Sequence, residues 1–183
     1  MDTRARTDGP VKPGAGFEQP FEMLEACHER VHRMLNLLHR LREHVALHGA
    51  DEQARQAARD VMRYFDIAAP EHHRDEELHV FPALLAGGDA RIHAVVARLR
   101  DDHLQMESRW KSARAVLAAI EQGERSRLSS TDEGQLDALA DLYPGHIQAE
   151  EEIAYPAAKP LLAGAPLEAM TRDMMARRGV AGT

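Results

Sequence analysis

One pattern is written twice in this chain, and it restricts the fold more than any other feature. Pro70, His72, Glu76, Glu77, Phe81 and Pro82 recur as Pro144, His146, Glu150, Glu151, Tyr155 and Pro156, each 74 residues later. Both copies read P-x-H-x3-E-E-x3-(F/Y)-P. A His and a Glu four residues apart lie one above the other on a single helix face. Two more histidines, His28 and His103, stand 75 residues apart in the segments that precede each copy. The chain therefore reads as a helical hairpin duplicated, with its halves facing each other.

The rest of the sequence fits that frame. Residues 1–18 carry Gly, Pro and charge without periodicity and read as a mobile leader. A first helix is expected from Pro20 to His48, stopped at Gly49. Its apolar stripe of Leu24, Cys27, Val31, Met34, Leu38, Leu41 and Val45 follows the spacing of a bundle helix. Asp51 caps a second helix running to about Leu85, before Gly87 and Gly88. Asp89 caps a third, which continues to Gln122. Ser130 with Glu133 offers a capping box for a fourth, ending near Leu162. Nothing alternates with the period of a strand. The expected fold is all-α: an up-down-up-down four-helix bundle over 19–163, followed by a short amphipathic C-terminal helix and tail over 164–183.

Composition excludes several classes. A net charge of −7 argues against nucleic-acid binding, and no apolar run is long enough for a membrane span. The opening stretch lacks a secretion signal's apolar core, so the expected address is cytoplasmic. Cys27, the only cysteine, rules out an internal disulfide. The 11 histidines are the unusual count.

Helix arithmetic tests whether the motif histidines meet. His28 lies about 20 residues before the expected end of helix one, and His72 about 20 into helix two. His72 is 13 residues before Leu85, and His103 about 13 into helix three. At ~1.5 Å per residue the three share one level, and His146 comes within ~6 Å of it. Four histidines at one level on four helices, with Glu76 and Glu150 beside them, is a metal-site geometry.

On these residues the chain resembles the hemerythrin-like HHE cation-binding family. The resemblance is carried by His28 in CHERVH, His72 and Glu76 in HHRDEELHVFP, His103 in DDHLQME, and His146 and Glu150 in HIQAEEEIAYP. It implies a bundle holding two iron ions, with manganese or zinc as possible substitutes. Glu76 and Glu150 would bridge, and histidines would complete the shells. The implied partner is a small diatomic or peroxide ligand, bound, sensed or acted on. Oxygen-carrying members supply two histidines four apart from helix three. Here the second position is Glu107, whose counterpart in helix one is His32. Both join the candidate ligands, and Glu107 speaks against simple oxygen carriage.

Other readings were weighed against this one. His28-Glu29-Arg30-Val31-His32 matches the H-E-x-x-H zinc protease signature, which leaves the repeat unexplained. Ferritin-like ligation needs Glu three residues before each motif histidine, where Ala69 and Tyr143 stand. His73 and His79 are turned from the ligand stripe, while Glu77 and Glu151 are expected to face water. Phe81 and Tyr155 are expected to fill space beside the site, with the prolines after them marking where each helix loosens.

Overall fold

The computed structural model describes residues 16, 19–87 and 89–180. The expected leader, Gly16 apart, and the expected stop at Gly88 thus lie outside the described residues. No strand occurs among those described.

Four rods pack as neighbours in chain order. The first is α1 (Pro20–His48). The second comprises α2 (Glu52–Asp75), a π-helical segment (Glu76–Val80) and α3 (Phe81–Ala86). The third is α4 (Ala90–Glu121). The fourth joins α5 (Ser130–Ala140), α6 (Tyr143–Ala149), a second π segment (Glu150–Ala154) and α7 (Tyr155–Ala158). Short connections make each rod antiparallel to the one before. A tail helix, α8 (Ala165–Arg177), follows. No described helix is long and apolar enough to cross a membrane.

The boundaries follow local chemistry. Pro20 sits in the first turn of α1, and Gly49, at φ 82°, takes the left-handed conformation that ends it. Asp51 accepts from the Ala54 amide, and Asp89 from Arg91 and Ile92. The box on the fourth rod lies one residue earlier than expected, between Ser129 and Asp132 rather than Ser130 and Glu133. That rod is also not one continuous α-helix. Pro144 has no amide hydrogen to continue the ladder, so α5 closes and α6 restarts with the proline in its first turn.

Each motif copy contains a π segment between its first glutamate and its proline. Phe81 N–H bonds the carbonyl of Glu76, and Tyr155 N–H that of Glu150, five residues back instead of four. Pro82 and Pro156, one residue on, donate nothing to the ladder, which lowers the cost of the wider turn.

Two apolar clusters fill the bundle. One holds Val31, Phe65, Ala69, Met106, Leu117 and Leu136; the other holds Leu24, Phe81, Leu99, Tyr155, Met170 and Met174. Along the rods the motif residues fall between them: His28 between Leu24 and Val31, His72 between Ala69 and Val80, His103 between Leu99 and Met106. The tail helix closes the second cluster by burying Met170 and Met174.

Candidate metal centre

His28, His72, Glu76, His103, His146 and Glu150 are all buried, and they converge between the two clusters. They form two overlapping groups. In one, His28, His72, Glu76 and Glu150 each offer a ligand atom within 4.8 Å of the others; in the second, Glu76, His103, His146 and Glu150 do the same. Both carboxylates belong to both groups. Glu150 Oε2 lies 3.1 Å from His28 Nε2, while its Oε1 lies 2.9 Å from His146 Nε2. Glu76 divides likewise, with Oε1 3.6 Å from His72 Nε2 and Oε2 3.3 Å from His103 Nε2.

Several of these atoms have no other use. Glu76 Oε2, His103 Nε2, His146 Nε2 and both oxygens of Glu150 are buried without an aligned hydrogen bond. Buried polar atoms ordinarily have partners, because an unsatisfied one loses its hydration for nothing. Converging imidazole nitrogens and carboxylate oxygens suit a divalent first-row metal, so the donor set fits the group that the sequence implied.

Electrostatics say the same. Burial favours the neutral form of His28 and His103, yet the facing Glu150 and Glu76 outweigh it and raise them to about 9 and about 10. Burial and then the charge of Glu150 push Glu76 up to about 7. Burial works against the Glu150 carboxylate too, but the surrounding histidines hold it well below the usual range. Protons thus sit where cations would sit.

The outer nitrogens of three ligand histidines are held by carboxylates. His28 Nδ1 lies 2.8 Å from Glu151, His103 Nδ1 3.1 Å from Glu77, and His146 Nδ1 3.2 Å from Asp102. Such partners orient a ligating imidazole and raise its basicity. The expectation that Glu77 and Glu151 simply face water is therefore corrected. Each reaches from its own rod to the histidine of a neighbouring one. Tyr155 does more than fill space, since its hydroxyl donates to Glu76 Oε1 at 2.5 Å and lies 3.2 Å from His28 Nε2.

A family model for the hemerythrin HHE cation-binding domain matches residues 19–158, the whole length that carries these residues. The chain belongs to that family. An uncharacterized protein of Haemophilus influenzae is 28% identical over 166 residues, 91% of this chain and 94% of its own length.

Within this HHE bundle, two sequence candidates are not brought to the cluster. Glu107 is exposed and pairs with Lys111 at 2.9 Å. His32 is exposed on α1. The reason is the same in both halves. Met106 and Val31, one residue earlier, take the buried position of that turn. Glu29 is exposed as well, which leaves no shared ion for an H-E-x-x-H site. His73 is nearer than expected: its ring stacks on that of His103, centroids 4.0 Å apart and 14° from parallel. Stacked rings point their lone pairs side by side, so His73 covers His103 rather than sharing a metal with it. Beside these rings opens a cavity of about 500 Å³, walled by Phe65, Ala69, Met106, Trp110 and Tyr143.

Proposed function

We propose that this HHE protein holds two metal ions, iron in the first instance, and uses the pair to bind or sense a small ligand such as oxygen, nitric oxide or peroxide, or to hold iron itself. The observation that carries this reading is the sharing of Glu76 and Glu150 between two ligand groups, which is what a bridged pair requires. Manganese or zinc would satisfy the same nitrogen and oxygen donors.

A bound metal pair would supply Lewis acidity and, with iron, electrons. The chain's residues do the remainder. Glu76 and Glu150 hold and bridge; His28, His72, His103 and His146 complete the two shells. Glu77, Asp102 and Glu151 orient three of these imidazoles. The apolar clusters above and below exclude water, and the cavity at His103 gives a small apolar molecule a place to wait. A second reading, a di-iron enzyme acting on peroxide or another small oxidant, is favoured by the Tyr155 hydroxyl, a proton donor already aligned on Glu76.

Metal analysis and an electronic spectrum of the purified protein test the proposal. Two irons per chain with near-ultraviolet and visible absorption of a bridged ferric pair are expected. Saturation at a single ion under every reducing condition would sink the two-metal reading. Reversible change on adding and removing nitric oxide supports binding or sensing, whereas sustained consumption of peroxide favours the enzyme.

A further inference from the structure

The two halves of the centre are built from one repeat, yet they are not alike. On the side of His103 and His146, all four inward atoms (Glu76 Oε2, His103 Nε2, His146 Nε2 and Glu150 Oε1) are free of hydrogen bonds. On the side of His28 and His72, only Glu150 Oε2 is free. There His28 Nε2 and His72 Nε2 are 3.1 Å apart and bonded to each other, and Glu76 Oε1 is taken by the Tyr155 hydroxyl. The copy-one counterpart of Tyr155 is Phe81, which has no hydroxyl and stacks on His103 instead.

The outer partners differ in the same direction. His103 and His146 both have a carboxylate on Nδ1, from Glu77 and Asp102. His28 has one in Glu151, but His72 Nδ1 is buried with no partner at all. The repeat explains the gap. The offset of 75 that relates His103 to His28 puts Cys27 where α4 has Asp102. A buried thiol is a weak acceptor and brings no negative charge to the imidazole.

Resting on the two-metal reading above, we infer that the centre loads in a fixed order: the position of His103 and His146 fills first and tightly, while that of His28 and His72 fills last and empties first. A missing outer partner costs roughly 10–100-fold in metal affinity, which sets the expected gap. Occupying the weaker position also requires breaking the His28–His72 and Tyr155–Glu76 hydrogen bonds. Asp102 and Tyr155 are the positioning residues that establish the order. As free iron falls, the protein would pass through a form holding one ion, so its metal content reports supply.

Anaerobic ferrous titration of the metal-free protein, followed by calorimetry, tests this. Two steps with affinities roughly 10–100-fold apart are expected. Tyr155→Phe should tighten the second step, Asp102→Asn should weaken the first, and both should narrow the gap. His72→Ala should remove only the weak step and His146→Ala the tight one, with circular dichroism confirming that each variant is folded. A purely structural role for Asp102 or Tyr155 would change the melting temperature without changing the ratio of affinities, and would overturn the inference. So would two indistinguishable affinities in the unaltered protein, a result that leaves the two-metal reading standing. Uptake of one ion at any excess would remove that reading and the inference with it.

Discussion

Arg177 in the tail helix forms an ion pair with Asp75, a fully buried carboxylate one residue before Glu76. The same guanidinium also reaches Glu71 and Asp173 at 2.7 and 2.8 Å, and Arg178 meets Asp75 at 2.6 Å from the other side. The last helix is thus tied by charge to the turn that presents a ligand.

Removing one partner of a buried pair leaves the other charge stranded, at a cost of about 3–5 kcal/mol. Arg178 remains to serve Asp75, so Arg177→Ala should fall below that range while still lowering the melting temperature. Asp75→Asn in the same chain should recover part of the loss. Thermal melts of the single and double variants check this; equal loss in both would mean that Asp75 is not the group being compensated.

The outer carboxylates should matter for metal and hardly at all for the fold. Glu77→Gln and Glu151→Gln are expected to weaken metal retention by roughly 10–100-fold each, since an amide cannot supply the charge that polarises the imidazole. Glu76→Ala or Glu150→Ala should abolish the paired-iron spectrum outright. Glu107→Ala should leave metal content unchanged, because an exposed pair with Lys111 contributes at most about 0.5 kcal/mol. Competition with a chromophoric chelator ranks the variants, and metal loss on replacing Glu107 would contradict the geometry.

The metal-free protein should lose stability as pH rises. His28 and His103 bind protons more tightly in the fold than their ordinary value of 6.5, at about 9 and about 10. Their contribution is complete below 6.5 and is lost as pH climbs through those higher values. Glu76, raised from 4.5 to about 7, acts in the same direction earlier in the scale. Melts from pH 6 to pH 10 should therefore fall steadily without metal, and a rise would be inconsistent with protonated histidines in the cluster. Metal loading at neutral pH should expel protons into a weakly buffered solution.

Metal bound only by the folded state stabilises it by mass action, by about 2.7 kcal/mol at a hundred times the dissociation constant. Adding ferrous iron anaerobically should raise the melting temperature by several degrees, and a chelator should reverse it. An unchanged melt after verified loading would place the ions outside the bundle.

Much of the bundle and its six inward residues could be read from the repeat, because His and Glu four apart share a face whatever surrounds them. Glu77 and Glu151 could not. Their own helices turn them outward, and only the neighbouring rods show that outward means toward His103 and His28. Glu107 and His32 failed for the complementary reason. Four residues from a ligand is close in sequence, but ~6 Å further along the axis, where Met106 and Val31 already occupy the inside. The π segments had left a trace in the sequence that α-periodicity hides. In a regular helix Phe81 would sit ~140° around from Glu76, yet both are fully buried.

That wide turn makes chain length itself a functional variable. Each π segment is one residue more than an α-helix needs, and the surplus residue is what swings Phe81 and Tyr155 inward over the cluster. Deleting any single residue from 77–80 or 151–154 would restore regular hydrogen bonding and rotate everything after it by ~100°. Tyr155 would leave Glu76, and Leu84 or Ala158 would turn out of the core. In these two stretches a deletion is a structural frameshift, more damaging than most substitutions in the same place.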